Sequence, residues 1–154
     1  MTLTVPAVGS PAPDFSLHST NGEVVTLAQF KGKANVLLAF FPLAFTSTCT
    51  AEMCAFTEDY SSFADQGVVV LPVSVDAVPS LKAFKTQYNM GVELLSDFKR
   101  EASRAYGTLM ESTFFSNRAY FLVDKAGVLR WSYVEETPGT KRENSEILAE
   151  IAKL

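Results

Sequence analysis

Cys49 and Cys54 are the two thiols of this 154-residue chain, and the first closes the run Pro42-Leu43-Ala44-Phe45-Thr46-Ser47-Thr48-Cys49. A cysteine attacks as the thiolate, a minority form at neutral pH for an ordinary thiol of pKa about 8.5, so a nucleophilic cysteine needs positive potential around it. Thr46, Ser47 and Thr48 are helix-capping residue types directly ahead of Cys49, which places the sulfur in a helical first turn, where unpaired N–H groups and the dipole favour an anion. Read without its neighbours, a lone cysteine among helical residues is usually a small buried hydrophobe. Two cysteines are too few for a disulfide scaffold, so any disulfide formed here is expected to be catalytic. His18 is the only histidine, which excludes a zinc site of several Cys and His ligands; no metal and no cofactor are expected. The C-x-x-C pair of thiol-disulfide oxidoreductases is absent. A metal carrier would want a closer cysteine pair beside a histidine, and His18 falls in an amino-terminal loop.

To place Cys49 this way, a strand must lead into the motif and a helix must leave it. Lys33 to Phe41 is a nearly unbroken apolar run, the pattern of a strand covered on both faces, and Gly67 to Val75 repeats it. Between them Met53, Phe56, Tyr60 and Phe63 recur at helical spacing, which predicts a crossover helix from about Thr48 to Ala64 joining two parallel strands. Upstream, Gly9 to Leu17 reads as extended, and Asn21-Gly22 marks a tight turn before Glu23 to Leu27, so a small amino-terminal hairpin is expected. Downstream, Leu81, Phe84 and Tyr88 predict a helix over Ser80 to Tyr88, and Ser96-Asp97 is placed to cap a shorter one ending by Tyr106. Arg118 to Val123 and Val128 to Val134 flank Asp124-Lys125-Ala126-Gly127 as an antiparallel pair. Thr140-x-x-Glu143 fits a capping box, with Ile147, Leu148, Ile151 and Leu154 as the apolar stripe of a terminal helix. The order βαβ, then helices, then ββα, predicts an α/β protein on the thioredoxin-fold plan. Its features are a central mixed sheet, helices on both faces and an amino-terminal hairpin extension, in one domain over residues 1–154. That plan carries many chemistries and selects none.

An apolar content of 47% with 12% aromatics supplies the core of one domain. The net charge of -4 is spread along the chain with no basic run, which argues against nucleic acid or an anionic membrane surface as partner. Met1 to Asp14 lacks the cationic patch and apolar stretch of a leader, and no segment reaches the ~18 consecutive apolar residues of a membrane span. A cytoplasmic protein is expected.

The spacing Pro42-x-x-x-Thr46-x-x-Cys49 resembles the active-site motif of the peroxiredoxins, thiol-dependent peroxidases in which one cysteine attacks a hydroperoxide. The likeness runs from Val8-Gly9-x-x-Ala12-Pro13-Asp14-Phe15 through Gly127 to the terminal helix. The Cys49-x-x-x-x-Cys54 spacing is similar to that of the Q-type, or bacterioferritin-comigratory, branch, and Phe40-Phe41-Pro42-Leu43-Ala44-Phe45-Thr46 looks like the alkyl hydroperoxidase E-like branch. The resemblance implies that Cys49 is the attacking thiol, that the Thr46 hydroxyl positions the peroxide and that Pro42 shields the sulfur. It further implies that Arg118, in Arg118-Ala119-Tyr120-Phe121-Leu122-Val123-Asp124, completes the site and that Glu52, one helical turn after Cys49, orients it. Displacement at oxygen needs such donors, to hold the attacked atom in line and to stabilise charge on the leaving oxygen.

Attack leaves Cys49 as a sulfenic acid, which a thiol must capture. By resemblance to the Q-type branch, Cys54 does so through an intramolecular disulfide. On an intact helix residues five apart have Cα atoms about 8.7 Å apart, beyond the ~7 Å that disulfides bridge, so this route requires local unwinding. The alternative is a one-cysteine enzyme with Cys54 packed structurally and an external thiol, either a thioredoxin-like protein or a low-molecular-weight compound, as reductant. A third reading, from another class, is a redox-sensing binding module. Phe45, Met53, Phe114 and Phe115 are candidate pocket walls that would favour organic hydroperoxides, although such residues also build cores. By family likeness the chain is a monomer or homodimer, with Thr113 to Ser116 in a subunit contact.

Overall fold

The computed structural model describes residues 4–154, so the first three residues of the amino-terminal segment discussed above lie outside it. The amino-terminal hairpin is β1 (Ser16–Ser19) and β2 (Val24–Thr26), turned at Asn21-Gly22, and a 3-10 turn, Ala28–Phe30, leads to β3 (Asn35–Phe40). Then follow α1 (Ser47–Glu58), α2 (Tyr60–Asp65), β4 (Val68–Ser74), α3 (Val78–Gln87), β5 (Leu95–Ser96) and α4 (Glu101–Ala105). The chain continues through the short strands β6 (Leu109–Met110) and β7 (Phe115–Ser116), the hairpin β8 (Ala119–Val123) and β9 (Leu129–Val134), and α5 (Asn144–Ile151).

One seven-stranded mixed sheet runs in the order β2-β1-β5-β4-β3-β8-β9, and β6 pairs with β7 apart from it. β3 is parallel to β4 and antiparallel to β8, with Phe40 opposite both Val73 and Ala119. Strand periodicity explains the unbroken apolar runs. Leu37 and Ala39 of β3, with Phe41 just beyond it, face a cluster holding Met53 and Phe56 of α1, Phe63 of α2, Leu81 and Phe84 of α3, and Ile147 and Ile151 of α5. Val36, Leu38 and Phe40 face the other cluster, with Leu17, Phe121, and Ala102 and Tyr106 at α4. A strand packed on both sides has no solvated face to alternate toward.

Several expected boundaries and caps are corrected. The crossover is two helices, because the chain bends at Asp59. There Asn144 of α5 donates to the Ala55 carbonyl (3.0 Å) and to the Asp59 carboxylate (2.9 Å). The third helix begins at Val78 rather than Ser80, with proline in its first turn, where a missing N–H costs nothing. Asp97 does serve α4, accepting from the amides of Ala102 (3.0 Å) and Ser103 (2.7 Å) and from the Ser103 hydroxyl (2.6 Å). The Thr140–Glu143 capping box does not form: the Thr140 hydroxyl donates within the loop, to Thr137 and Glu135, and α5 starts after Glu143 without a side-chain cap. Leu154 lies beyond α5 and is exposed, so the stripe ends at Ile151.

Candidate active site

The segment Phe41–Thr46 carries the chain from the end of β3 to α1. Asp76, past the end of the neighbouring β4, receives the Ala44 amide at 2.9 Å and the Ser74 hydroxyl at 2.7 Å, which ties the segment to the sheet edge. Phe45 then takes φ 69°, a left-handed conformation costly for a bulky residue, with its ring packed on Phe84 at 5.0 Å. This reversal lets the helix start at Ser47 with Cys49 in its first turn.

The helix start differs from expectation in its chemistry. Thr46 occupies the N-cap position but its hydroxyl donates to the Leu43 carbonyl at 2.8 Å, and the Thr48 hydroxyl donates to the Gly139 carbonyl at 3.2 Å, so neither side chain caps the helix. The first-turn amides therefore have no side-chain cap at the N-cap position.

Cys49 is fully buried, and Arg118 donates from Nη2 to its Sγ at 3.0 Å. Arg118, just ahead of β8, arrives there because β8 runs antiparallel beside β3, so the beginning of one strand meets the end of the other. Arg118 Nη1 donates to Glu52 Oε1 at 2.7 Å, and the Pro138 carbonyl accepts from Nε (3.3 Å) and Nη2 (3.0 Å). The Tyr120 hydroxyl donates to Glu52 Oε2 and accepts from the Arg142 amide at 3.0 Å. Arg142 in turn pairs with the buried Glu135 at 2.9 Å.

Burial pushes the Glu52 carboxyl above its ordinary range, opposed by the Arg118 guanidinium and the Tyr120 hydroxyl. Both of its oxygens accept from a donor, which is the hydrogen-bonding pattern of a carboxylate. For Arg118, burial alone would lower the pKa, but Glu52 and Cys49 together outweigh it and push it up, so the guanidinium stays charged. Burial, reinforced by Glu52, pushes the Tyr120 phenol upward and keeps its proton in place to donate.

A cleft of about 280 Å³, lined by Pro42, Thr46, Thr48, Phe115, Arg118 and Pro138, reaches the cluster through the Arg118 side chain, while the buried Cys49 is not part of its wall. Of the four candidate wall residues only Phe115 reaches it. Met53 is core, Phe45 packs on Phe84, and Phe114, at φ 62°, lies under Arg100 at 4.5 Å. Cys54 is half-buried and, like Cys49, a free thiol. Among the described residues no group of three or more His, Cys, Asp and Glu could hold a metal ion, and no helix is long and apolar enough to cross a membrane.

Six residues were named from the sequence. Cys49, Glu52 and Arg118 meet in one hydrogen-bonded cluster, Pro42 and Thr46 line the cleft beside it, and Cys54 stands apart on α1. Tyr120, Asp76 and Pro138 were not foreseen. Tyr120 alone carried a signal: two residues after Arg118, it must share that residue's face of the strand.

The AhpC/TSA family model matches residues 8–132. Alkyl hydroperoxide reductase E of Mycobacterium tuberculosis is 38% identical over 138 residues, covering 88% of this chain and 90% of that protein. A putative peroxiredoxin bcp of Coxiella burnetii is 38% identical over 128 residues, covering 79% of this chain and 84% of its own. In three dimensions the chain is similar to a reduced 2-Cys peroxiredoxin of Plasmodium vivax, with a TM-score of 0.88, 32% identity, and 96% of this chain and 81% of that one covered. A thiol and a guanidinium held together on this sheet, in a chain so related, make it a thiol peroxidase that belongs to the AhpC/TSA, or peroxiredoxin, family, in its alkyl hydroperoxide reductase E and peroxiredoxin Q-like branch.

Proposed function

We propose that Cys49 reduces hydrogen peroxide and small organic hydroperoxides, and that a thiol from outside the chain then restores it. The observation that carries this reading is the Arg118 guanidinium at 3.0 Å from the sulfur, on a residue that lines a cleft sized for a small molecule. The sulfur anion attacks one peroxide oxygen, a sulfur–oxygen bond forms as the O–O bond breaks, and the departing alkoxide or hydroxide takes a proton to leave as alcohol or water. Thr46 supplies a hydroxyl on the cleft wall that orients the peroxide, and Arg118 offsets charge building on both oxygens. Pro42 shields the sulfur from water, while Glu52 keeps the guanidinium turned toward it.

Sulfenic acid and an external thiol condense to a mixed disulfide and water, and a second thiol releases Cys49 with formation of an external disulfide. This one-cysteine cycle is favoured over capture by Cys54 because α1 is continuous from Ser47 to Glu58 and carries both cysteines. External thiols are kept reduced in a cytoplasm, which is the setting proposed for this cycle.

Stopped-flow peroxide consumption with small thiols and with thioredoxin tests it. Cys49→Ser abolishes turnover, Arg118→Met lowers the second-order rate roughly 100- to 1,000-fold, and Cys54→Ser turns over as the wild type does. Loss of turnover in Cys54→Ser, with a loss of two hydrogens by mass in the oxidised wild type, would restore the internal disulfide. A wild type that oxidises once and never turns over would mark a sensor.

A further inference from the structure

We infer that Tyr120 is a positioning residue for this centre: its hydroxyl, fixed from behind by the Arg142 amide, holds the Glu52 carboxylate and, through it, the Arg118 guanidinium against Cys49. This rests on the peroxidase reading for its purpose but not for its geometry.

Arg118 and Tyr120 project from the same face of the chain at β8, two residues apart, and grip the two oxygens of one carboxylate from α1. The result is a chain of hydrogen bonds that starts at a backbone amide and ends at the sulfur: Arg142 to Tyr120, Tyr120 to Glu52, with Arg118 bridging Glu52 and Cys49. A tyrosine used only for packing would not need this. Its ring already lies on Trp131, with centroids 6.5 Å apart, and a phenylalanine would fill the same space. What phenylalanine lacks is the donor, and without it Glu52 Oε2 becomes a buried acceptor with no partner. The carboxylate then relieves itself by rotating off Arg118 or by binding a proton. The groups that face it are Arg118 just ahead of β8, Tyr120 from β8 and Lys141 from the loop after β9, with Cys49 on its own helix. Only Tyr120 among these donates to Oε2.

The test compares wild type, Tyr120→Phe and Glu52→Gln by stopped-flow peroxide oxidation between pH 5 and 9. Melting temperature and the 13C NMR titration of the Glu52 carboxyl are recorded beside it. For Tyr120→Phe the expected result is a rate at pH 7 reduced roughly tenfold, recovering as pH rises and Glu52 ionises, with the carboxyl titrating at higher pH than in the wild type. Glu52→Gln should be slow without that recovery. An unmoved Glu52 titration in folded Tyr120→Phe overturns the inference whatever the rate does. So does a rate and pH profile equal to those of the wild type. If Tyr120→Phe does not fold, the wild type decides: a slowly exchanging Tyr120 hydroxyl proton is expected by 1H NMR, and its absence overturns the inference. A wild type without peroxidase activity would remove the function and leave the carboxyl titration to judge Tyr120.

Discussion

A guanidinium that faces a sulfur on one side and a carbonyl on the other has to be kept from swinging, and a carboxylate is the strongest brake available to it. Arg118 and Glu52 are only 1% and 3% exposed at the side chain, so the two charges left water together on folding. Such a pair contributes little net stability relative to an apolar pair of the same size, yet breaking it is costly because one ion stays buried without its partner. Glu52→Ala is therefore expected to lower unfolding free energy by about 3–5 kcal/mol in urea, whereas Glu52→Gln, which still accepts a hydrogen bond from Arg118, should cost less. A loss within ~0.5 kcal/mol for Glu52→Ala would mean that water reaches the pair freely.

Among the elements, the β8–β9 hairpin controls where the arginine stands, and its turn is built on Asp124. That carboxylate accepts from the amides of Ala126 (2.9 Å) and Val128 (3.0 Å) and from Arg130 (3.1 Å). Burial tends to raise its pKa, but the Val128 amide, Arg130 and the Ala126 amide outweigh it and hold the group below the usual carboxylate range. A carboxyl depressed in the native state stabilises fully above its unfolded pKa of about 3.9, and that contribution disappears as pH falls through the lower native value. Asp124→Asn should accordingly reduce stability at pH 7 and flatten its acid decline. Urea midpoints at pH 7 and pH 3 that shift equally on mutation would contradict this. The same hairpin was legible in the sequence, as were β3 and β4, because unbroken apolar runs bounded by turn residues leave few other readings. That Cys49, Glu52 and Arg118 lie together, with Pro42 and Thr46 on the cleft beside them, was legible through a motif. What escaped depended on distant partners. The break at Asp59 is made by Asn144, from the other end of the chain, and the cap expected of Thr140 lost its hydroxyl to Glu135 and Thr137. β5, at two residues, is too short to leave a pattern. Met53 looked like a pocket wall because helical spacing does not say which face meets a cleft and which meets the core.

At the scale of the molecule, the sulfur follows β3 and the guanidinium precedes β8, 69 positions apart along the chain, and they meet only because those strands lie antiparallel side by side in the sheet. No single helix or loop contains the reactive pair. The protein thus has no partly competent form: a state that keeps α1 but parts β3 from β8 has a cysteine and nothing to charge it. Peroxide consumption through a urea titration should fall along the same curve as the sheet signal in circular dichroism. Activity lost well before that signal would place the weak point in the cover formed by Pro138 and Gly139 instead.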